Sequence, residues 1–380
     1  MRHAITNVRA LVGDVLIDQA TIVVLDGRIE AVGQVTVPAD VSSIDGRGML
    51  ALPGIVDIHG DAVERSLAPR PSSTFSVAMA LVENDRAMLA AGITTAFLSL
   101  TDSPEPGLRS RATLRTVVDA LRDGHLPLGA DTRVHVRHEI LQTGHHDELC
   151  QWLDTGDVGM VSLNDHYPVQ DDADLRRHAI ALRGRVNAPI EEIEAMEREA
   201  WTRRPDGEKQ LLDLVDVCAQ NKVPLASHDD DTEEQVRLSA DRGVTISEFP
   251  VNIELCRLAR SLGAGVLLGA PNLVRGGSHL GRISVADAIA AEAVDAICSD
   301  YHYPSLFCAP FLASCGLERA WAMVSSGPAR LAGLEGRKGV LQEGADADIL
   351  LVDDTMEPGR TTAALTAVYR NGVMVFRCRP

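Results

Sequence analysis

The 380-residue chain is 45% hydrophobic, 24% charged and only 3% aromatic, the balance of a globular protein with ample core and little material for base-stacking platforms. Its formal net charge of -18 repels polyanions at long range, which argues against nucleic acid or an anionic membrane as partner and requires a local basic pocket if the substrate is phosphorylated. No apolar stretch approaches the roughly 18 residues of a membrane span, and the opening MRHAITNVRA has no apolar signal segment, so the expected compartment is the cytoplasm. Seven cysteines without a CxxC pair read as scattered reduced thiols, neither a disulfide framework nor a zinc ribbon.

The first fifty residues read as short strands with a hairpin signal at Asp26-Gly27, and the last forty read alike, with Asn371-Gly372 at a turn. Two β-rich ends around a differently patterned middle predict one small β domain from residues 1–50 plus 335–380, with the middle, 51–334, inserted into it. That middle alternates β-branched runs with helical segments, the pattern of βα units on a parallel sheet. Eight strands are predicted, at 54–59, 93–99, 132–138, 158–164, 223–227, 244–248, 265–269 and 295–299. Connections such as 76–91, 108–123, 232–242 and 284–293 carry helical periodicity, and a charged helical insertion occupies about 167–222. Eight strands are the number of a TIM-like (β/α)8 barrel, which needs about 250 residues, although pattern alone also permits an open doubly wound sheet. The long insertion is a candidate lid or substrate loop.

In barrel enzymes the chemistry gathers where strands end, because the loops there converge on one mouth. Strand one ends in His59-Gly60-Asp61, strand three in His138-Glu139, strand four in Asp165-His166, strand five in His228 followed by three aspartates, and strand eight in Asp300. Imidazole nitrogen and carboxylate oxygen are the ligands of catalytic zinc sites, which keep one position open for water and bring its pKa toward about 7. Asp300 would take the proton from that water or orient it. GAPNLVRGGSHLGR after strand seven is either a run of turn-forming glycines or an anion-binding loop. Arg65 and Arg70, beyond strand one, are either a solvated charged loop or two cations near the mouth.

PGIVDIHGD together with GADADILLVD resembles the amidohydrolase superfamily, whose barrel is flanked by a β-sandwich made from both termini. LPGIVDIHGDAVERSLAPRP, AAGITTAF, RVHVRHE, SLNDHYP, PLASHDDDT, ISEFPVN, GAPNLVRGGSHLG and ICSDYHYPSL follow the order of the PhnM family, the α-D-ribose 1-methylphosphonate 5-triphosphate diphosphatases of the carbon-phosphorus lyase pathway. The resemblance implies an α/β fold, a (β/α)8 barrel with a small β-sandwich, and release of pyrophosphate from a ribose 5-triphosphate by metal-activated water. It implies a divalent metal cofactor, zinc by ligand type, as one or two ions. Carried over by position, it makes His59, Asp61, Glu139, His166 and His228 metal ligands and Asp300 the base, and places Arg70, Arg275, Ser278 and His279 in motifs suited to phosphate contacts. The chain departs from the family at Ala62, where an Asn is usual, and at Asn84, where a His is usual. Both departures bear on the substrate, so a C–N hydrolase (deacylase or deaminase) is the alternative. A barrel that has lost its metal is a third reading, disfavoured by the retained ligand-type residues. The expected partner is a small molecule, with no nucleic acid and no membrane, and a homo-oligomer is left open.

Overall fold

The computed structural model describes residues 2–39, 41–70, 73–167, 172–186, 188–277, 281–355 and 363–378. The amino-terminal strands are β1 (Arg2–Val12), β2 (Val15–Leu25), β3 (Arg28–Gly33), β4 (Ser42–Asp45) and β5 (Leu50–Pro53). Next come β6 (Ile55–Gly60), β7 (Ile93–Asp102), β8 (Asp131–Glu139), β9 (Met160–Asn164), β10 (Leu225–His228), β11 (Ile246–Glu248), β12 (Gly265–Gly269) and β13 (Ala296–Cys298). The chain closes with β14 (Ile349–Asp353), β15 (Ala364–Arg370) and β16 (Val373–Arg377).

Strands β6 to β13 pair side by side in sequence order, all parallel, and a parallel bridge between Gly60 and Asp300 joins the first to the last. This is the TIM-like barrel expected from the eight β-branched runs, not an open sheet. Its lower interior is filled by Val56, Ile58, Phe97, Met160, Ala226, Ile246, Leu267, Ala296 and Cys298. Helices Val77–Ala90, Arg111–Arg122 and His146–Thr155 cover the outside, burying Leu81, Met88, Leu114, Val117, Leu149 and Trp152 in the main core. Between β9 and β10 the insertion forms helices Asp172–Val186, Ile190–Trp201 and Arg204–Asn221. Among the described residues no helix is long and apolar enough to cross a membrane, and no cysteine pair forms a disulfide.

The two termini build one sheet, in the order β16-β15-β14-β5-β1-β2-β3 with β4 also on β1. Alternation divides its faces, as the strand period of two requires. On β14, Leu350 and Val352 pack into the barrel's core while Ile349 and Leu351 face the sheet's own cluster. Both predicted hairpins turn as read: Asp26-Gly27 (φ 48° and 84°) and Asn371-Gly372 (φ 47° and 72°) have the paired positive φ of a type I′ turn.

Asn84 and Asp85 show how the outer layer supports the mouth. Asn84 Oδ1 accepts a hydrogen bond from the Tyr303 hydroxyl (2.8 Å), and Tyr303 packs beside Gly60. Asp85 accepts from the backbone N–H groups of Gly129 (3.0 Å) and Ala130 (2.9 Å), fixing the entry to β8. Asp85→Ala would leave the buried Ala130 donor and the half-buried Gly129 donor unpaired, a cost of about 1–3 kcal/mol. The urea midpoint should fall accordingly; an unchanged midpoint would show that β8 is anchored by other means.

Candidate active site

The carboxyl ends of the barrel strands deliver their side chains to one cavity of about 300 Å³, lined among others by His59, Asp61, Arg137, His228, Asp229, Arg275, Arg282 and Asp300. Three residues that follow strand ends, Asp229, Phe249 and Asp300, have φ of 59°, 56° and 54°. Left-handed backbone is costly for residues with a Cβ, and its concentration here marks a mouth whose geometry the surrounding packing enforces.

The imidazoles are held by carboxylates. His59 Nδ1 lies 3.0 Å from Glu248 Oε1 and both groups are buried. His166 Nδ1 lies 2.5 Å from Glu139 Oε1, and the His166 backbone N–H donates to Glu139 Oε2 (3.2 Å). A carboxylate that accepts from Nδ1 fixes the tautomer and presents Nε2 as a lone pair, as in the outer shell of metal sites. Two groups of ligand-type atoms converge, His59 with His228 and Glu248, and His166 with His228 and Asp229. The ring centroids of His59 and His228 are 5.5 Å apart, those of His166 and His228 5.2 Å.

Electrostatics follow from burial. Desolvation pushes His59 down to about 3 and His135 to about 4, and lowers His228 well below the ordinary imidazole value, so all three rings are neutral near pH 7. Desolvation raises Glu248 and Asp300 to about 7 and Asp57 to about 6; for Asp300 the nearby Asp61 adds to it. In the Glu139–His166 pair, burial opposes ionisation of both partners, but their mutual attraction outweighs it: Glu139 is lowered and His166 raised.

The donor set fits a divalent cation. Besides the neutral rings, His228 Nδ1, His135 Nε2 and Glu248 Oε2 are buried polar atoms without a hydrogen-bond partner among the described residues. Such atoms are costly to bury unless something satisfies them. One cation already stands at the mouth: Arg137 donates through Nη2 to His228 Nε2 (3.1 Å), with Nη1 3.6 Å from Asp61.

Of the residues expected from sequence, His59, Asp61, His228, Arg275 and Asp300 line the cavity. His166 and Glu139 adjoin it through His228. Asp165 is exposed and paired with Arg204. Arg275, exposed, reaches the Tyr301 hydroxyl (3.3 Å). Arg70 is exposed, bridges Ser73 and does not line the cavity. Ser278 and His279 lie outside the described residues. Ala62 and Asn84 do not line the cavity either.

Sequence reasoning missed Glu248, Arg137, His135 and Asp57. Glu248 ends β11, within the 244–248 run that reads as a strand, and its place at a strand end is the available signal. His135 and Arg137 precede Glu139 at steps of two along β8, which places all three on one face. Asp57, two residues before His59, accepts from the Ser299 hydroxyl (2.5 Å) and locks β6 to β13.

The amidohydrolase family model matches residues 50–376. The chain belongs to the amidohydrolase family. It is 30% identical over 327 residues to the α-D-ribose 1-methylphosphonate 5-triphosphate diphosphatase of Escherichia coli K12, covering 81% of this chain and 84% of that one, and is a divergent PhnM-like member. Guanine deaminase from C. acetobutylicum superposes with a TM-score of 0.64 at 12% identity, over 99% of this chain and 100% of the other. Dihydropyrimidinase from Brevibacillus agri gives 0.57 at 15%, over 99% and 95%. At those identities the likeness is one of fold. This amidohydrolase is a metal-dependent hydrolase of a small molecule.

Proposed function

We propose that this amidohydrolase hydrolyses a ribose 5-triphosphate, α-D-ribose 1-methylphosphonate 5-triphosphate or a close analogue, to the 5-phosphate and pyrophosphate, consuming one water. The observation that carries this reading is the meeting of neutral imidazoles with three guanidiniums, Arg137, Arg275 and Arg282, around one cavity of a strongly acidic protein. An amide or ring substrate does not need three guanidiniums at its cavity; a triphosphate can use them, since guanidinium is the group that binds it in paired hydrogen bonds. The 30% identical relative carries the same activity in its name, whereas the C–N hydrolases among the structural neighbours support the fold alone.

His59, His166 and His228, with Glu248 and Asp229 in their two converging groups, would hold a divalent metal, zinc by ligand type; Asp61 and Glu139 belong to the same proposal by sequence position. When bound, the ion supplies Lewis acidity, lowering the pKa of a coordinated water and polarising a phosphoryl oxygen. Asp300 takes the proton from the attacking water: it is buried at the mouth, and desolvation holds its carboxyl near the operating pH, where a base is most effective. Arg275 and Arg282 receive the triphosphate, with Arg282 already braced by Asp229 (2.5 Å). Ser278 and His279 belong to the same proposal by sequence position.

Chelation should abolish turnover and added zinc restore it; activity that survives chelation would end the metal-dependent reading. A panel of phosphorylated and amide substrates tests the class: turnover of an amide or cyclic imide with inertness toward triphosphates would favour C–N chemistry. Arg275→Ala removes one charged hydrogen-bond donor, worth about 1.5–3 kcal/mol, so KM for the triphosphate should rise roughly 10- to 100-fold with kcat little changed. An unchanged KM would return the glycine-rich loop to a turn.

A further inference from the structure

We propose that His146, Cys150 and Asp213 form a second divalent-metal site, outside the barrel mouth, that staples the last helix of the insertion to the helix after β8. His146 and Cys150 stand at i and i+4 of helix His146–Thr155, one face of the same turn, and Asp213 comes from helix Arg204–Asn221. His146 Nε2 lies 2.7 Å from Asp213 Oδ2 and 3.5 Å from Cys150 Sγ. The three ligand atoms lie within 4.8 Å of one another, as no other described group outside the mouth does.

The distances suit zinc. With Zn–N of 2.0–2.1 Å and Zn–S of 2.3 Å, a tetrahedral ion separates nitrogen from sulfur by about 3.6 Å and nitrogen from a carboxylate oxygen by about 3.4 Å. The sulfur is in place; the Asp213 oxygen has to retreat by about 0.7 Å. It can, since that side chain is 63% exposed. Asp213, Asp147 and Asp154 together make the potential at the sulfur negative, favourable for a cation. An imidazole, a thiolate and one carboxylate leave the fourth position to water, and the mixed soft and borderline set selects zinc or cobalt over magnesium or calcium.

The staple has a structural consequence. The stapled helix begins at Arg204, which pairs with Asp165 at the mouth (2.7 Å), and Asn221 near its end donates to Asp154 (2.8 Å). Gly207 meets the Ile140 carbonyl so closely that an added Cβ would lie 2.0 Å from it. Fixing Asp213 to His146 therefore clamps the middle of a helix already held at both ends. Metal at this position stabilises the insertion against the barrel and takes no part in chemistry.

Cobalt(II) added to the purified full-length chain separates this site from the mouth, because none of the ligand-type residues at the mouth is a cysteine. The wild type should develop the near-ultraviolet thiolate-to-cobalt absorption with the intensity of one site per chain. Cys150→Ser should abolish it. Asp213→Ala, at an exposed position that leaves folding intact, should weaken cobalt binding at least tenfold. Zinc should raise Tm of the wild type by more than that of Cys150→Ser, in which only the mouth remains to bind it. Absence of the band in the wild type, its persistence in Cys150→Ser, or unchanged affinity in Asp213→Ala would each overturn the proposal.

Discussion

Asp300→Asn is expected to keep its metal and lose turnover. The substitution preserves size and much of the polarity while removing the basic oxygen, and the backbone around it is held independently: Asp300 N donates to His59 O and its carbonyl accepts from Asp61 N, both at 2.9 Å. The position itself is demanding, with φ 54°, a region Asn tolerates better than most residues. General-base catalysis contributes about 10²- to 10⁴-fold, so kcat should fall by that factor while metal per chain stays at the wild-type value. Metal content and kcat measured on one preparation decide it. Near-wild-type turnover would remove the base assignment, and loss of metal would make Asp300 a ligand and move the base to another carboxylate, with Glu248 the nearest in character.

For His228→Ala the opposite pattern is expected, loss of metal and activity together. His228 belongs to both groups of converging ligand atoms, so no other single side chain at the mouth touches as much of the site. Its ring is buried and neutral, with the lone pair a cation requires. Removing it also deprives Arg137 of its acceptor, leaving a buried guanidinium facing His59 and Asp61, which adds repulsion to any cation that remains. Turnover should drop below detection. Full metal content in His228→Ala would take this residue out of the site and leave His59 and His166 as members of separate clusters.

Much of this architecture is legible along the chain because the relevant forces are local. Eight β-branched runs separated by amphipathic helices fix the barrel strands to within a few residues, and Asp-Gly and Asn-Gly dipeptides fix the terminal hairpins, since few other pairs accept two successive positive φ values. The ends of those strands could be read for ligand types in the same way, which is how His59, His228 and Asp300 come into view. What is not local was missed. Glu248 matters because β11, two strands from the end of the barrel order, faces β6 across the interior and meets His59 there, a relation created by closure. Arg137 reads as one of many arginines until β8 is known to turn its 135, 137 and 139 positions inward. Arg70 is close in sequence to β6 but exposed, and closeness along the chain does not by itself bring a side chain to the cavity. At Asn84 the departure from the family pattern bears on the substrate only indirectly, since its carboxamide accepts from Tyr303 and does not line the cavity. Its influence on the substrate therefore passes through Tyr303 and Gly60.

The central claim, hydrolysis of a 5-triphosphate at a metal-loaded barrel mouth, is tested most directly by phosphorus NMR of the products formed by the zinc-loaded wild type from α-D-ribose 1-methylphosphonate 5-triphosphate. One pyrophosphate and one 5-phosphate per substrate consumed, and no orthophosphate, is the predicted result; an unreacted triphosphate in the presence of full metal would contradict it.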